Sequence, residues 1–138
     1  MQYEGNIGVV RITPRYAETD QMGFIHHSNH IIWFEAARMQ LFSDLGISIS
    51  DLEKEGFFLP ILSIAAEYMS PVFFNESIVV HAALSSKTKT RISISYTVTR
   101  GDHVLCNGAT SQVFIRASDK KPVPIPKHIY ERLSVHSK

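Results

Sequence analysis

The sequence holds a single cysteine, Cys106, it has no long apolar run, and its charges nearly cancel. A lone cysteine excludes an intrachain disulfide, and in a strand-like segment it reads as a small buried hydrophobe, not a nucleophile. No stretch approaches the roughly 20 apolar residues of a membrane-spanning helix. Lys and Arg number 14 and Asp and Glu 13, a formal net charge of +1. The cations are spread along the chain, so neither nucleic acid nor a membrane is expected as a partner. The opening residues, Met1-Gln2-Tyr3-Glu4-Gly5-Asn6, lack a basic region followed by an apolar one, and a cytoplasmic protein is expected. Also missing are a Gly-x-Ser-x-Gly elbow and a glycine-rich phosphate loop, so a serine α/β-hydrolase mechanism has no support. There are no repeats and no low-complexity segment.

What remains is 138 residues, the size of a single domain spanning 1–138 with one core. Ile7 to Tyr16 reads as a first strand, with Pro14 marking an edge or bulge near its end. Ser28 to Leu45 reads as one long helix, with Ser28 or Asn29 available as N-cap and Gly46 as the stop. Apolar side chains cover most of its circumference and leave a narrow polar stripe at Glu35, Arg38 and Gln40. Such a helix is expected to be surrounded by protein.

The wrapping follows in the sequence. After a helical turn near Ser50 to Gly56 come strand-like runs at Leu59–Met69, Ser77–Ser85, Arg91–Arg100 and His103–Arg116. Ile92, Ile94, Tyr96 and Val98 alternate with Ser93, Ser95, Thr97 and Thr99, the period of a strand with one buried face. Gly101-Asp102 then makes a hairpin. Pro122, Pro124 and Pro126 close the last strand, and Lys127 to Leu133 forms a short terminal helix. Several strands after one helix, joined by short links, predict an α+β domain with an antiparallel sheet curled around that helix.

Function concentrates between Arg15 and His30. Asp20 and the imidazoles of His26, His27 and His30 stand just before the long helix. There, unpaired backbone N–H groups can hold a developing negative charge. This is equipment for acyl transfer, with Asp20 as nucleophile or general base and the backbone N–H near His27 as oxyanion donor. The bland reading of Asp20-x-x-Gly23 is an Asx-turn, that of His27 a packed helix-start residue, and that of Glu35 and Arg38 an i, i+3 pair. His26 and His30 are four apart, as in a zincin helix. However, His27 occupies the glutamate position of that motif and no third ligand follows, so no metal is expected. Lys87, Lys89 and Arg91 would share one face of a strand, either as a clamp for phosphates or as a solvated edge.

These residues resemble the hotdog-fold thioesterases of the 4-hydroxybenzoyl-CoA thioesterase type, which include the acyl-CoA thioesterases associated with Tol-Pal systems. The match reads Tyr16, Asp20, Gly23, Phe24-Ile25, His26, His27, Ser28, Asn29, His30, then Glu35 and Arg38, with His26 and His30 where tyrosines are frequent. Phe58 to Pro71 and Lys121 to Pro126 also look like the family. The resemblance implies a hotdog fold, hydrolysis of acyl-CoA without cofactor, catalytic roles for Asp20 and the His27 peptide, and the His27 side chain beside the thioester. It also implies a homodimer, often paired into a homotetramer, with sites at the subunit interface.

Substrate contacts are then expected from Gly23, Phe24, Ile25, His26, Ser28, Trp33, Glu35, Phe57, Phe58 and Leu59, and from Lys87, Lys89 and Arg91. An exposed sheet edge independently favours pairing of two copies. Two alternatives stay open at this point: a domain of the same fold acting on acyl chains held by acyl carrier protein, as thioesterase or dehydratase, and a noncatalytic acyl-CoA-binding module.

Overall fold

The computed structural model of the protein describes residues 7–133, so the opening segment discussed above lies outside the described residues. Strand β1 (Ile7–Ile12) leads through a 3-10 turn (Tyr16–Glu18) to helix α1 (Ser28–Asp44) and the short helix α2 (Ile49–Lys54). There follow β2 (Phe57–Phe58), β3 (Ile61–Tyr68), β4 (Ile78–Lys87), β5 (Arg91–Arg100), β6 (His103–Val113), β7 (Ile115–Arg116) and helix α3 (Lys127–Arg132). The main sheet is antiparallel, in the order β1-β4-β5-β6-β3, and β2 pairs with β7 apart from it. The expected α+β class and the single helix against a five-stranded sheet are both present.

Local chemistry sets the element ends. Gly46 adopts φ 73°, and Ile47 N–H donates to Phe42 O at 2.9 Å, the six-to-one bond of a glycine-terminated helix. Gly101 at φ 59° turns the β5–β6 hairpin. Along β5, Ile92, Ile94, Tyr96 and Val98 are buried, as the alternation requires. They meet Phe34, Ala37 and Leu41 of α1, which are fully buried, and the Phe34 ring stacks on Tyr96 at 4.6 Å.

Two glycines let the layers approach. A Cβ on Gly8 would lie 2.4 Å from Ala37 O and 2.5 Å from Leu41 N, and one on Gly108 would lie 2.4 Å from the Phe34 ring. Helix α1 can therefore rest its backbone almost on β1.

Four expectations change. The first strand ends at Ile12 rather than Tyr16, because Pro14 cannot continue the ladder and Tyr16 enters the 3-10 turn. The last long run breaks at Phe114, whose N–H turns to Thr90 O and whose carbonyl accepts from Val123 N–H. Neither Ser28 nor Asn29 is the N-cap of α1, since His27 holds that position. Finally, α1 is not wrapped all round. It packs on β1, β4 and β5, while Ile31, Ile32 and Met39 on its far side stay exposed, Ile32 by 59%.

Candidate active site

The turn after the 3-10 segment builds the carboxylate end of the site. Asp20 Oδ1 accepts from Met22 N–H at 2.8 Å and from Phe24 N–H at 3.1 Å. The Asp20 carbonyl accepts from Gly23 N–H at 3.1 Å, and Gly23 takes φ 84°. The Asx-turn is thus real. It also occupies one carboxylate oxygen only: Oδ2 makes no hydrogen bond among the described residues. The loop is closed by a Thr19–Ile25 bridge and tied to the sheet entrance by a Phe24–Phe73 bridge and by Ile25 N–H donating to Val72 O at 2.7 Å.

The other end is the start of α1. The N–H of Ser28 reaches His26 Nδ1 at 3.2 Å, Asn29 N–H reaches His26 O at 3.0 Å, and His30 N–H reaches His27 O at 3.2 Å. The His27 N–H makes no hydrogen bond among the described residues, and the helix dipole points its positive end there. The His27 ring stacks on His26 at 4.2 Å, and His26 Nδ1 is 2.8 Å from Ser28 Oγ.

Between the two ends lies a cleft of about 270 Å³, lined by Asp20, Phe24, Ile25, His27, His30, Tyr68, Met69, Ser70, Pro71 and Val72. Tyr68 Oη donates to the His27 carbonyl at 3.0 Å, and burial raises the Tyr68 pKa. His30 is 3% exposed, packs on Trp33 and Tyr68, and has an Nδ1 with no partner among the described residues. Burial lowers its pKa from 6.5 to about 4, against a smaller favourable effect of the His27 carbonyl. Its imidazole is therefore neutral near pH 7.

Of the residues singled out in the sequence, Asp20, Phe24, Ile25 and His27 line this cleft. Gly23, His26 and Ser28 do not line it: Gly23 turns the Asp20 loop at φ 84°, and His26 Nδ1 bonds to Ser28 at the helix start. Trp33 is buried in the core. Glu35 is exposed on α1 and does not pair with Arg38, which donates instead to Tyr96 Oη at 3.2 Å.

Lys87, Lys89 and Arg91 do not share one strand face. Lys87 ends β4 and Arg91 begins β5, and the hairpin between them is closed by Thr88 N–H donating to Arg91 O at 2.8 Å. Lys87 Nζ binds Tyr130 O at 2.9 Å and sits 4.0 Å over that ring. This hairpin and Phe58, which pairs with Ile115, lie at the opposite end of the sheet from Asp20. That follows from the register, since Ile12 pairs with Ile78 at the near end of β4 and Lys87 closes its far end.

Among the described residues no cluster of His, Cys, Asp and Glu could hold a metal ion. Sequence reasoning missed Tyr68, His30 as a buried wall, and the Met69–Val72 segment. Tyr68 and the Met69–Val72 segment reach the cleft through sheet pairing and loop docking, which leave no local signature, whereas His30 comes from the first turn of α1 and only its burial was not readable.

The sequence pattern of the Thioesterase-like superfamily matches residues 14–133. YneP of Bacillus subtilis is 46% identical over 70 residues, a stretch that is 51% of each chain. The chain thus spans about half the length of that relative in the match. Acyl-CoA thioester hydrolase YbgC of Escherichia coli O157:H7 is 22% identical over 117 residues, 83% of this chain and 86% of that one. The solved DHNA-CoA thioesterase of Staphylococcus aureus superposes with a TM-score of 0.83 at 29% identity, over 91% of this chain and 85% of that one. The hotdog arrangement expected from the sequence is therefore shared, and the chain belongs to the Thioesterase-like superfamily.

Proposed function

We propose that this protein hydrolyses acyl-CoA thioesters to the free acid and coenzyme A without a metal or organic cofactor. The observation that carries the reading is the pairing, in one cleft, of a carboxylate held by one oxygen and a backbone N–H left over at a helix start. Asp20 Oδ2 would either attack the thioester carbon, giving an anhydride that water then cleaves, or take the proton of the attacking water. In both routes the carbonyl oxygen gains charge opposite the His27 N–H, and the thiolate leaves with little need for an acid. The membership of the family and the names of YbgC and of the S. aureus thioesterase support this chemistry.

The site is completed by a second copy. Strand β3 is a sheet edge whose apolar side chains are open, with Leu62 50% exposed and Ile61, Ile64 and Tyr68 close behind. An eight-residue apolar edge without a partner is a pairing template. Two β3 strands joined antiparallel about a two-fold axis would extend the sheet across both protomers. They would also bring the Phe58 end of one protomer to the Tyr68 end of its partner. Glu35, Phe58, Lys87, Lys89 and Arg91 then become substrate contacts offered across the interface, and dimers could pair again into a tetramer.

The test is release of free CoA thiol from a panel of acyl-CoAs by the wild-type protein and by Asp20→Asn. Loss of at least about a hundredfold in turnover is expected, the scale of a well-placed acid-base group. Wild-type rates in the variant would refute the role of Asp20. Labelled oxygen appearing in Asp20 after a single turnover in heavy-oxygen water would select the anhydride route.

A further inference from the structure

Asn29 stands in the first turn of α1, yet its side chain does not act as a helix cap. A capping side chain accepts from N–H groups of the helix that follows it. The Asn29 amide instead donates backwards, from Nδ2 to Glu18 O at 3.2 Å and to His26 O at 3.1 Å. Its own N–H adds a bond to the same His26 carbonyl at 3.0 Å, and His26 N–H donates to Glu18 O at 2.8 Å. The four bonds form one compact knot between the segment that carries Asp20 and the residue that begins the helix.

We propose that Asn29 is a positioning residue, whose amide holds the Asp20 turn and the His26–His27 peptide in fixed relation across the cleft. The peptide unit is planar, so the His26 carbonyl and the His27 N–H point in opposite directions from one rigid plate. Two donors on the carbonyl fix the direction of the N–H, and they polarise the peptide so that the N–H becomes a better donor. Glu18 O lies two residues before Asp20, on the strand side of the Thr19–Ile25 bridge. One amide nitrogen therefore bonds both the carbonyl two residues before Asp20 and the carbonyl of the peptide that carries the His27 N–H. This inference rests on the reading of the cleft as a thioesterase site for its kinetic consequence, but not for its structural one.

The experiment uses the full chain with Asn29→Ala and Asn29→Asp. The aspartate keeps the shape, favours the start of a helix by its charge, and cannot donate to Glu18 O or His26 O. For both variants the expected result is a fall in kcat of about tenfold to a hundredfold, the range for a displaced or weakened oxyanion donor, with KM held within about twofold. The melting temperature of Asn29→Asp falls by a few degrees at most, because the charge at the helix start offsets part of the two lost hydrogen bonds, and that fall is too small to account for the loss in kcat. In nitrogen-15 spectra the His27 amide shifts and broadens, while amides deep in α1, such as that of Leu41, keep their positions.

Unchanged kcat in a folded variant, or losses in kcat that only track losses in melting temperature, would overturn the proposal. A His27 amide unmoved in both variants would overturn it regardless of turnover. If the wild-type protein releases thiol from no acyl-CoA, the thioesterase reading fails by itself, and the amide spectra still decide whether Asn29 orients the peptide.

Discussion

His30 sits in surroundings that favour its neutral form. A neutral imidazole buried against Trp33 and Tyr68, with its Nδ1 unpartnered, resists the proton that it would take in the unfolded chain. The folded pKa of about 4 lies below the usual 6.5. Above pH 6.5 both states are neutral and His30 adds no pH dependence. Between 6.5 and about 4 the unfolded state binds the extra proton, so stability falls as pH falls, by a total of roughly 3 kcal/mol. Urea unfolding at pH 7, 5.5 and 4 should show this slope, and His30→Tyr should flatten it. An equal slope in the variant would assign the loss to other groups.

Asp20 and His27 were legible because their geometry is local, an Asp-x-x-Gly turn followed within a few residues by a helix start. Tyr68 was not, since it arrives from a position 41 residues beyond the carbonyl it binds.

At the scale of elements, the contact of α1 with β1 is set by what is missing from Gly8. The place of its absent Cβ is filled by Ala37 O and Leu41 N, which are backbone atoms and cannot swing aside. Gly8→Ala should therefore push the helix off the sheet and destabilise the fold by about 2 kcal/mol or more, read as a lower urea midpoint at unchanged slope. A midpoint equal to wild type would show that helix and strand can part at little cost. The elements themselves were mostly readable. Gly46, Gly101 and the β5 alternation each announce their structure. The β4–β5 hairpin showed only as the gap between the runs ending at Ser85 and beginning at Arg91, because Thr88-Lys89-Thr90 carries neither glycine nor proline. Its turn is made by the Thr88 side chain accepting from Arg91 N–H at 3.1 Å, and the run of cations was read as continuous strand for that reason.

At the scale of the molecule, the exposed β3 edge and the bare side of α1 face the same need for a partner. Ile64→Lys, in the middle of β3 and 42% exposed, places a charge where two edges would meet. The variant should sediment as a monomer, retain its fold by circular dichroism, and lose thioester hydrolysis by at least about tenfold if the partner completes the site. A monomer of full activity would show that the single-chain cleft suffices. The apolar circumference of α1 was visible in the sequence, whereas the identity of its cover was not. Hydropathy reports that a surface wants burial and is silent on which chain supplies it.

The separation of Asp20 and Phe58 to opposite ends of one sheet has a genetic consequence under the proposed pairing. Two defective alleles, one altered at Asp20 and the other at Phe58, would each encode a dead homodimer. In a cell expressing both, every mixed dimer would unite the two lesions in one of its sites and leave the other site intact. The alleles would complement each other: one site of every mixed dimer would turn over at the normal rate, which with random pairing is about a quarter of all sites in the cell.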